Sequence, residues 1–289
     1  MRLVTYQDER GAHVGALRDD TTIVSLDEVA PSMLALIAGG PSLLEQARAA
    51  LDRAEQTVPL SAVKLLAPIP YPRQDIVCLG MNYVEHAYES MRAKGLPPSL
   101  PPHPVFFTKA ATTVCAHEDD IPLDPHVTEQ LDYEVELAYI VGTPAKNIAR
   151  DQAMAHIFGY TILNDVSARD LQNRHQQFYK GKSLDNSCPM GPWIVTADEI
   201  ADPAALGLRL RLNGETRQES TVGDLIFDIP TTLEVLSLGQ TVPAGTIVTT
   251  GTPSGVGMGF TPPRWMQPGD VMEAEIDGIG VLRNRVVAG

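Results

Sequence analysis

What the chain lacks narrows its chemistry first. Only three cysteines occur in 289 residues, Cys78, Cys115 and Cys188, far apart and in no CxxC or Cys/His zinc spacing. A disulfide framework is thereby excluded, and a reducing compartment, the cytoplasm, is expected. No apolar run of about 18 residues exists, and the opening MRLVTYQDERGAHVG has no signal-peptide core, so no membrane partner is expected. Basic residues are scarce as well: 22 Lys and Arg stand against 36 Asp and Glu, a formal charge of −14. That excludes a nucleic-acid binder built on a basic stripe. An anionic substrate would need local positive charge, from a metal or from buried Lys and Arg. HExxH and G-x-S-x-G motifs are missing, and the glycine-rich stretch TGTPSGVGMGF lacks the GK[ST] that ends a phosphate-binding loop. TGTPSGVGMGF has spaced glycines, but Pro262 and Pro263 follow where a phosphate-binding helix would start.

Glycine and proline are plentiful, 23 of each, which favours a turn-rich β protein over a helical bundle. With 44% hydrophobic residues there is ample material for a core, and the length fits one large domain or two unequal ones. Residues 1–67 read as a small α/β unit, with RLVTY, HVGALR and TIVSL as strands and SLLEQARAALDRAE as an amphipathic helix. LLAPIPYPRQ, carrying Pro68, Pro70 and Pro72, connects it to a larger unit over 68–289. There DIVCLG reads as a buried strand and NYVEHAYESMRAK as a helix capped by Asn82. GLPPSLPPHP is too stiff for helix and suits a surface flap. DQAMAHI and SARDLQNRHQQ read as short helices, the second capped by Ser167, and FGYTILND and WIVT as strands. LRLRLNGETRQES is a hairpin, because Asn213-Gly214 suits a type I′ turn. With TIVTTGTPSG and DVMEAEIDGIGVLRNRV completing the carboxyl half, the expected class is α+β, dominated by strands.

The most informative stretch is LDYEVELAYIVG, residues 131–142. Strand side chains alternate, so Asp132, Glu134 and Glu136 share one face while Leu131, Tyr133, Val135, Leu137 and Tyr139 take the other. Acids two residues apart stand about 6–7 Å from each other, and at an effective dielectric of about 20 each pair repels by about 2.5 kcal/mol. Solvent screens such a face in many half-wet antiparallel strands. Yet the acidic face runs on into Ala138 and Ile140, turning apolar within two pleats, which a solvent-facing strand has no need to do. A bound cation would cancel the repulsion. From these residues alone both readings stay open.

A hard cation such as Mg²⁺ or Mn²⁺ needs a further oxygen ligand. Asp165, at the end of GYTILND, is a candidate, although alone it reads as a helix cap. His86 and Glu89 stand three apart on one helix face, where a carboxylate can orient an imidazole that activates water; exposed pairs at this spacing are common. Lys182 in YKGKSLDNSCP, judged alone, reads as solvated, whereas Lys109 in PVFFTKA is more telling because an apolar strand run precedes it.

Taken in order, CLGMNYVEHAYE, PVFFTKA, LDYEVELAYIVG, GYTILNDVSARDLQ, GKSLDNSCPMGPWIV and TTGTPSGVGMG resemble the fumarylacetoacetate hydrolase family, specifically its smaller bacterial and mitochondrial-type members, over roughly residues 65–289. The resemblance implies a mixed β-roll behind a small variable amino-terminal unit, usually a homodimer, with Mg²⁺, Mn²⁺ or Ca²⁺ in the site. It implies Glu134, Glu136 and Asp165 as the metal ligands, with Asp132 near them but not a ligand. It also implies His86 and Glu89 as the water-activating pair and Lys182 as an oxyanion-stabilising lysine. Lys109, Arg169, Gln172 and Thr252 match positions that contact substrate or shape the pocket. The activity implied is hydrolysis of a carbon–carbon bond in a small 2,4-diketo acid of the acylpyruvate or fumarylpyruvate type, as in aromatic-compound catabolism. The same metal site also supports decarboxylation of oxaloacetate or isomerisation of an unsaturated dicarboxylate of the 2-hydroxyhepta-2,4-diene-1,7-dioate type. A non-catalytic ion-binding scaffold would need neither His86, Glu89 nor Lys182.

Overall fold

Alternating apolar residues build most of the molecule, and strands dominate it. The structure is a computed structural model that describes all 289 residues. The chain opens with a meander of β1 (Arg2–Asp8), β2 (Gly11–Leu17) and β3 (Thr22–Ser25). Helices α1 (Met33–Ala38) and α2 (Gly40–Arg53) follow, then β4 (Thr57–Pro59) and β5 (Lys64–Leu66). Next come β6 (Ile76–Gly80), α3 (Val84–Ala93), β7 (Val105–Lys109), β8 (Val114–Cys115) and β9 (Asp120–Leu123). The acid-bearing stretch splits into β10 (Leu131–Asp132) and β11 (Val135–Val141). It leads to β12 (Ile157–Asn164), β13 (Ser167–Ala168), α4 (Arg169–Arg174), α5 (Tyr179–Lys182) and β14 (Cys188–Thr196). The carboxyl part holds β15 (Gly207–Leu212), β16 (Glu215–Thr221), α6 (Ile229–Ser237), β17 (Ile247–Thr249), β18 (Val271–Ile276) and β19 (Gly280–Ala288).

One large sheet runs β4-β3-β2-β1-β14-β12-β11-β17-β6-β7, antiparallel along this path except where β17 meets β6. A second sheet runs β16-β15-β18-β19-β9. Its β15–β16 hairpin turns at Asn213 (φ 53°) and Gly214 (φ 80°), the left-handed pair that a type I′ turn demands.

The pleat of β11 decides what lies on each side of the large sheet. Val135, Leu137, Tyr139 and Val141 enter a core shared with Leu210 of β15, Met272 of β18 and Leu233 of α6. Ala138 and Ile140 face the opposite way, into a second core closed by Met33, Leu36 and Ile37 of α1 and Ala47 of α2. Each aliphatic side chain so covered contributes about 1.5–3 kcal/mol. The apolar end of the acidic face is therefore roofed by the amino-terminal helices, and its charged end lies beyond their cover.

Three local readings need correction. The stretch 131–142 is not one strand: it breaks at Tyr133–Glu134, because Leu131 and Asp132 pair with Ala168 and Ser167 while Val135 onward pairs with β12. Asn82 does not cap α3. Its side chain instead donates to the Phe227 and Thr250 carbonyls (3.0 and 2.8 Å) and accepts from the Phe227 amide (2.9 Å), tying down two loops. Ser167 lies in β13 and donates to the Asp165 carbonyl (2.8 Å), so α4 starts later, with no side-chain cap. The segment 95–104 has neither helix nor strand and is mostly exposed, as its prolines require.

Candidate active site

The break between β10 and β11 builds the site. Glu134 stands between two ladders, its amide donating to the Asn164 side chain (2.9 Å) and its carbonyl accepting from the Asp165 amide (2.8 Å). The end of β12 is thereby stitched to the break. One oxygen each of Glu134, Glu136 and Asp165 lies within 4.8 Å of the others, and all three residues are buried.

Cations surround these acids unevenly. Lys182 Nζ donates to Glu134 Oε2 (2.6 Å) and Asp165 Oδ2 (2.7 Å). Lys109 Nζ, wholly buried, donates to the Val166 carbonyl (3.0 Å) and stands 2.8 Å from Asp165 Oδ1. That second approach is an ion pair off the hydrogen-bonding direction, so Asp165 Oδ1 has no hydrogen-bond donor. Arg169 donates to Asp132 Oδ2 (2.9 Å), Glu134 Oε1 (2.6 Å) and Gln172 Oε1 (3.1 Å). Glu136 accepts the Gly251 amide (3.1 Å) and has no ion pair.

Charge states follow from that distribution. Burial works to raise Glu134, yet Arg169 and Lys182 hold it well below the usual carboxylate range. Burial, then the Asp165 and Glu134 charges, push Glu136 well above that range. For Lys182 and Arg169 burial opposes the charge, and their carboxylate neighbours more than offset it, so both are raised. The residues present fit a hard divalent cation. Three carboxylates converge, one oxygen among them lacks a donor, and Glu136 lacks a counter-charge.

The glycine-rich loop after β17 is an anion strap for the protein's own acids. The Gly251 amide serves Glu136, the Gly255 amide serves Glu89 Oε1 (3.0 Å), and the Gly257 and Met258 amides serve Asp132 (2.6 and 3.1 Å). Thr252 Oγ1 donates to the Val135 carbonyl (2.9 Å) and accepts from Gln218 (2.7 Å). Close approach demands glycine here: a Cβ on Gly257 would stand 2.7 Å from Asp132 Oδ1, and one on Gly259 would overlap the Glu89 carboxylate. Asp132, bound by this strap and by Arg169, supports the triad from behind.

From α3, His86 turns Nδ1 to Glu89 Oε2 (3.3 Å) and Nε2 toward Ser90 Oγ (3.5 Å). His86, Glu134, Glu136, Arg169, Gln172, Lys182 and Thr252 all line one cleft. Asp165, Lys109 and Glu89 do not line it: Asp165 lies deeper, against Lys109 and Lys182, and Glu89 stands behind His86. Sequence reasoning missed Lys94, Phe107 and Phe178, which line the same cleft. A signal for Lys94 existed, since His86, Ser90 and Lys94 recur every four residues, the spacing of one helix face.

The family profile described as fumarylacetoacetate (FAA) hydrolase C-terminal matches residues 75–287. The oxaloacetate tautomerase YisK of Bacillus subtilis is 42% identical over 304 aligned residues, covering 99% of this chain and 100% of that protein. The solved fumarylacetoacetate hydrolase of Exiguobacterium antarcticum superposes with a TM-score of 0.85 at 37% identity, over 100% of both chains. The maleylpyruvate hydrolase of Sphingobium sp. SYK-6, solved with manganese (II) and pyruvate, superposes with a TM-score of 0.79 at 29% identity, again over 100% of both.

Proposed function

The chain belongs to the fumarylacetoacetate hydrolase family, and on that premise we propose that it interconverts the keto and enol forms of an oxaloacetate-class 2-oxo acid, with a divalent cation held by Glu134, Glu136 and Asp165. The observation that carries this reading is the buried carboxylate triad, in which Glu136 has no cation and from which Glu134 and Glu136 line a cleft beside His86 and Lys182. The tautomerase activity named for the Bacillus subtilis relative, matched over its whole length, ranks it above the hydrolytic reaction that the sequence motifs implied first.

A Mg²⁺ or Mn²⁺ ion in this cradle supplies Lewis acidity and positive charge beside the bound keto acid. His86 Nε2, with Nδ1 oriented by Glu89, takes the proton from the carbon next to the keto group. The C–H electron pair becomes the second carbon–carbon bond of the enol as the carbonyl π pair moves onto oxygen, which gains a proton from Lys182; His86 then releases its proton to solvent and Lys182 regains one, so the proton count is unchanged. No other bond forms or breaks, so no co-reactant is consumed. Arg169 steadies Glu134 and Gln172, Lys109 steadies Asp165, and Thr252 holds the strap against β11.

Carbon–carbon hydrolysis of a 2,4-diketo acid is the second reading, favoured by the burial of the His86–Glu89 pair and by likeness to the maleylpyruvate hydrolase. The same pair would then activate water. Ultraviolet absorbance of oxaloacetate tests the first reading: Mg²⁺- or Mn²⁺-loaded protein should speed its keto–enol equilibration, and EDTA or Glu136→Ala should slow it by about 10²-fold or more. No acceleration by wild type, together with ¹⁸O from labelled water entering the acid cleaved from an acylpyruvate, would replace tautomerisation with hydrolysis.

A further inference from the structure

We propose that Lys94 receives the second carboxylate of a dicarboxylate substrate, at the end of the cleft away from the acidic triad. This rests on the keto–enol reading and specifies its substrate class. The first argument is a count of charge. Asp132, Glu134, Glu136, Asp165 and the buried Glu89 face Lys109, Arg169 and Lys182, a formal balance of two excess negative charges. A divalent cation cancels that excess and leaves no further positive charge for a substrate with two carboxylates. A second carboxylate in the cleft would then have no cation committed to it unless Lys94 supplies one. Arg169 and Lys182 are already committed to Asp132, Glu134 and Asp165, whereas Lys94 is the cleft-lining cation with neither an ion pair nor a side-chain hydrogen bond.

Placement agrees with charge. Lys94 closes α3, its amide bonded to the Ser90 and Met91 carbonyls (3.3 and 3.1 Å), one helical step past Ser90 and two past His86 on the same face. Its ammonium stands 5.8 Å from the centre of the Phe178 ring. Phe178 packs edge-on against Phe107 at 5.5 Å, and Phe107 carries Lys182 Nζ at 5.1 Å. One aromatic pair thus separates two ammonium groups, with apolar surface between them. Two cations with apolar surface between them suit a substrate that carries two negative groups. Lys94 is an exposed residue at the mouth of the cleft, and the protein packed around its ammonium, then the nearby Arg169 charge, hold it below the usual lysine range, a penalty that an incoming carboxylate relieves. The competing account is a solvated lysine whose stem covers Phe178.

The test pairs oxaloacetate with oxalate, which occupies the keto-acid end and has no distal arm, on the full Mg²⁺-loaded chain. Lys94→Met should raise KM for oxaloacetate about tenfold with kcat within about threefold, and Lys94→Arg should recover most of the loss. Calorimetric Kd for oxalate should change less than about twofold in Lys94→Met, since nothing at that end is removed. An unchanged oxaloacetate KM, or an equal loss of oxalate affinity, overturns the assignment. Should wild type leave oxaloacetate untouched, the keto–enol reading falls by itself, and calorimetry with 3,3-difluorooxaloacetate, which cannot enolise, decides Lys94. Binding weakened about tenfold in Lys94→Met upholds the assignment, and equal binding overturns it.

Discussion

Two networks in this molecule use the same kinds of side chain to opposite ends. On the outer sheet, Arg209 and Arg211 of β15 lie opposite Glu275 and Glu273 of β18 and also reach Asp277, with contacts such as Arg211–Glu275 at 2.6 Å and Arg209–Asp277 at 2.9 Å. Those acids are 24–53% exposed. Lys109, Arg169 and Lys182 and the acids they pair with are at most 5% exposed. Water screens the first network and makes every pair dispensable, because each is worth about 0–1 kcal/mol. Nothing screens the second, so Glu136, the buried acid beside it with no cation of its own, either holds its proton or meets a positive charge from outside the chain. Identical ion pairs are ornament in one place and chemistry in the other, and the surrounding dielectric decides which.

The largest effect that would sharpen this contrast is at Lys109. Lys109→Met removes the cation beside Asp165 and the donor to Val166, and should cost about 3–5 kcal/mol in urea unfolding with EDTA present. The loss should shrink when Mg²⁺ is added, since the ion supplies charge to the same carboxylate; equal losses in both conditions would argue against a cation there. Arg211→Ala, by contrast, should cost less than about 1 kcal/mol, and salt should erase even that. A larger, salt-independent loss would abolish the distinction drawn above.

The smallest effect concerns an intermediate case in the amino-terminal unit. His13, 14% exposed, bridges Asp27 (2.7 Å) and Asp8 (2.9 Å). Burial works against its charge, but Asp27 and Asp8 more than offset it, raising the imidazole above 6.5. A group raised on folding adds stability that is complete below its unfolded value and lost as pH climbs through the folded one. Wild type should therefore exceed His13→Gln by about 1–2 °C in Tm near pH 6 and lose that lead by about pH 8.5. Melting curves with a constant gap would show that the bridge carries no charge.

What the sequence made legible was whatever repeats locally. The alternation of β11 foretold which residues face each core, including the turn from acid to apolar at Ala138 and Ile140, and Asn213-Gly214 marked its hairpin. What it hid depends on partners far along the chain. The break at Tyr133–Glu134 exists because β13, more than thirty residues later, claims Leu131 and Asp132. Asn82 and Ser167 have the chemistry of helix caps but are drawn off by remote carbonyls and by a neighbouring strand. The glycine loop was set aside for lacking the signs of a phosphate site, and nothing local reveals that its anions are Glu89, Asp132 and Glu136.

The covering of Ala138 and Ile140 by α1 and α2 has a practical corollary. A chain begun after residue 67 would lay bare Ala138, Ile140, Phe158 and Ile194 and would uncover the flank of β14 where Leu3 now pairs with Ile194. Greasy patches and open strand margins glue copies to one another. Any assembly state measured on such a shortened protein would record that stickiness rather than how the intact enzyme assembles.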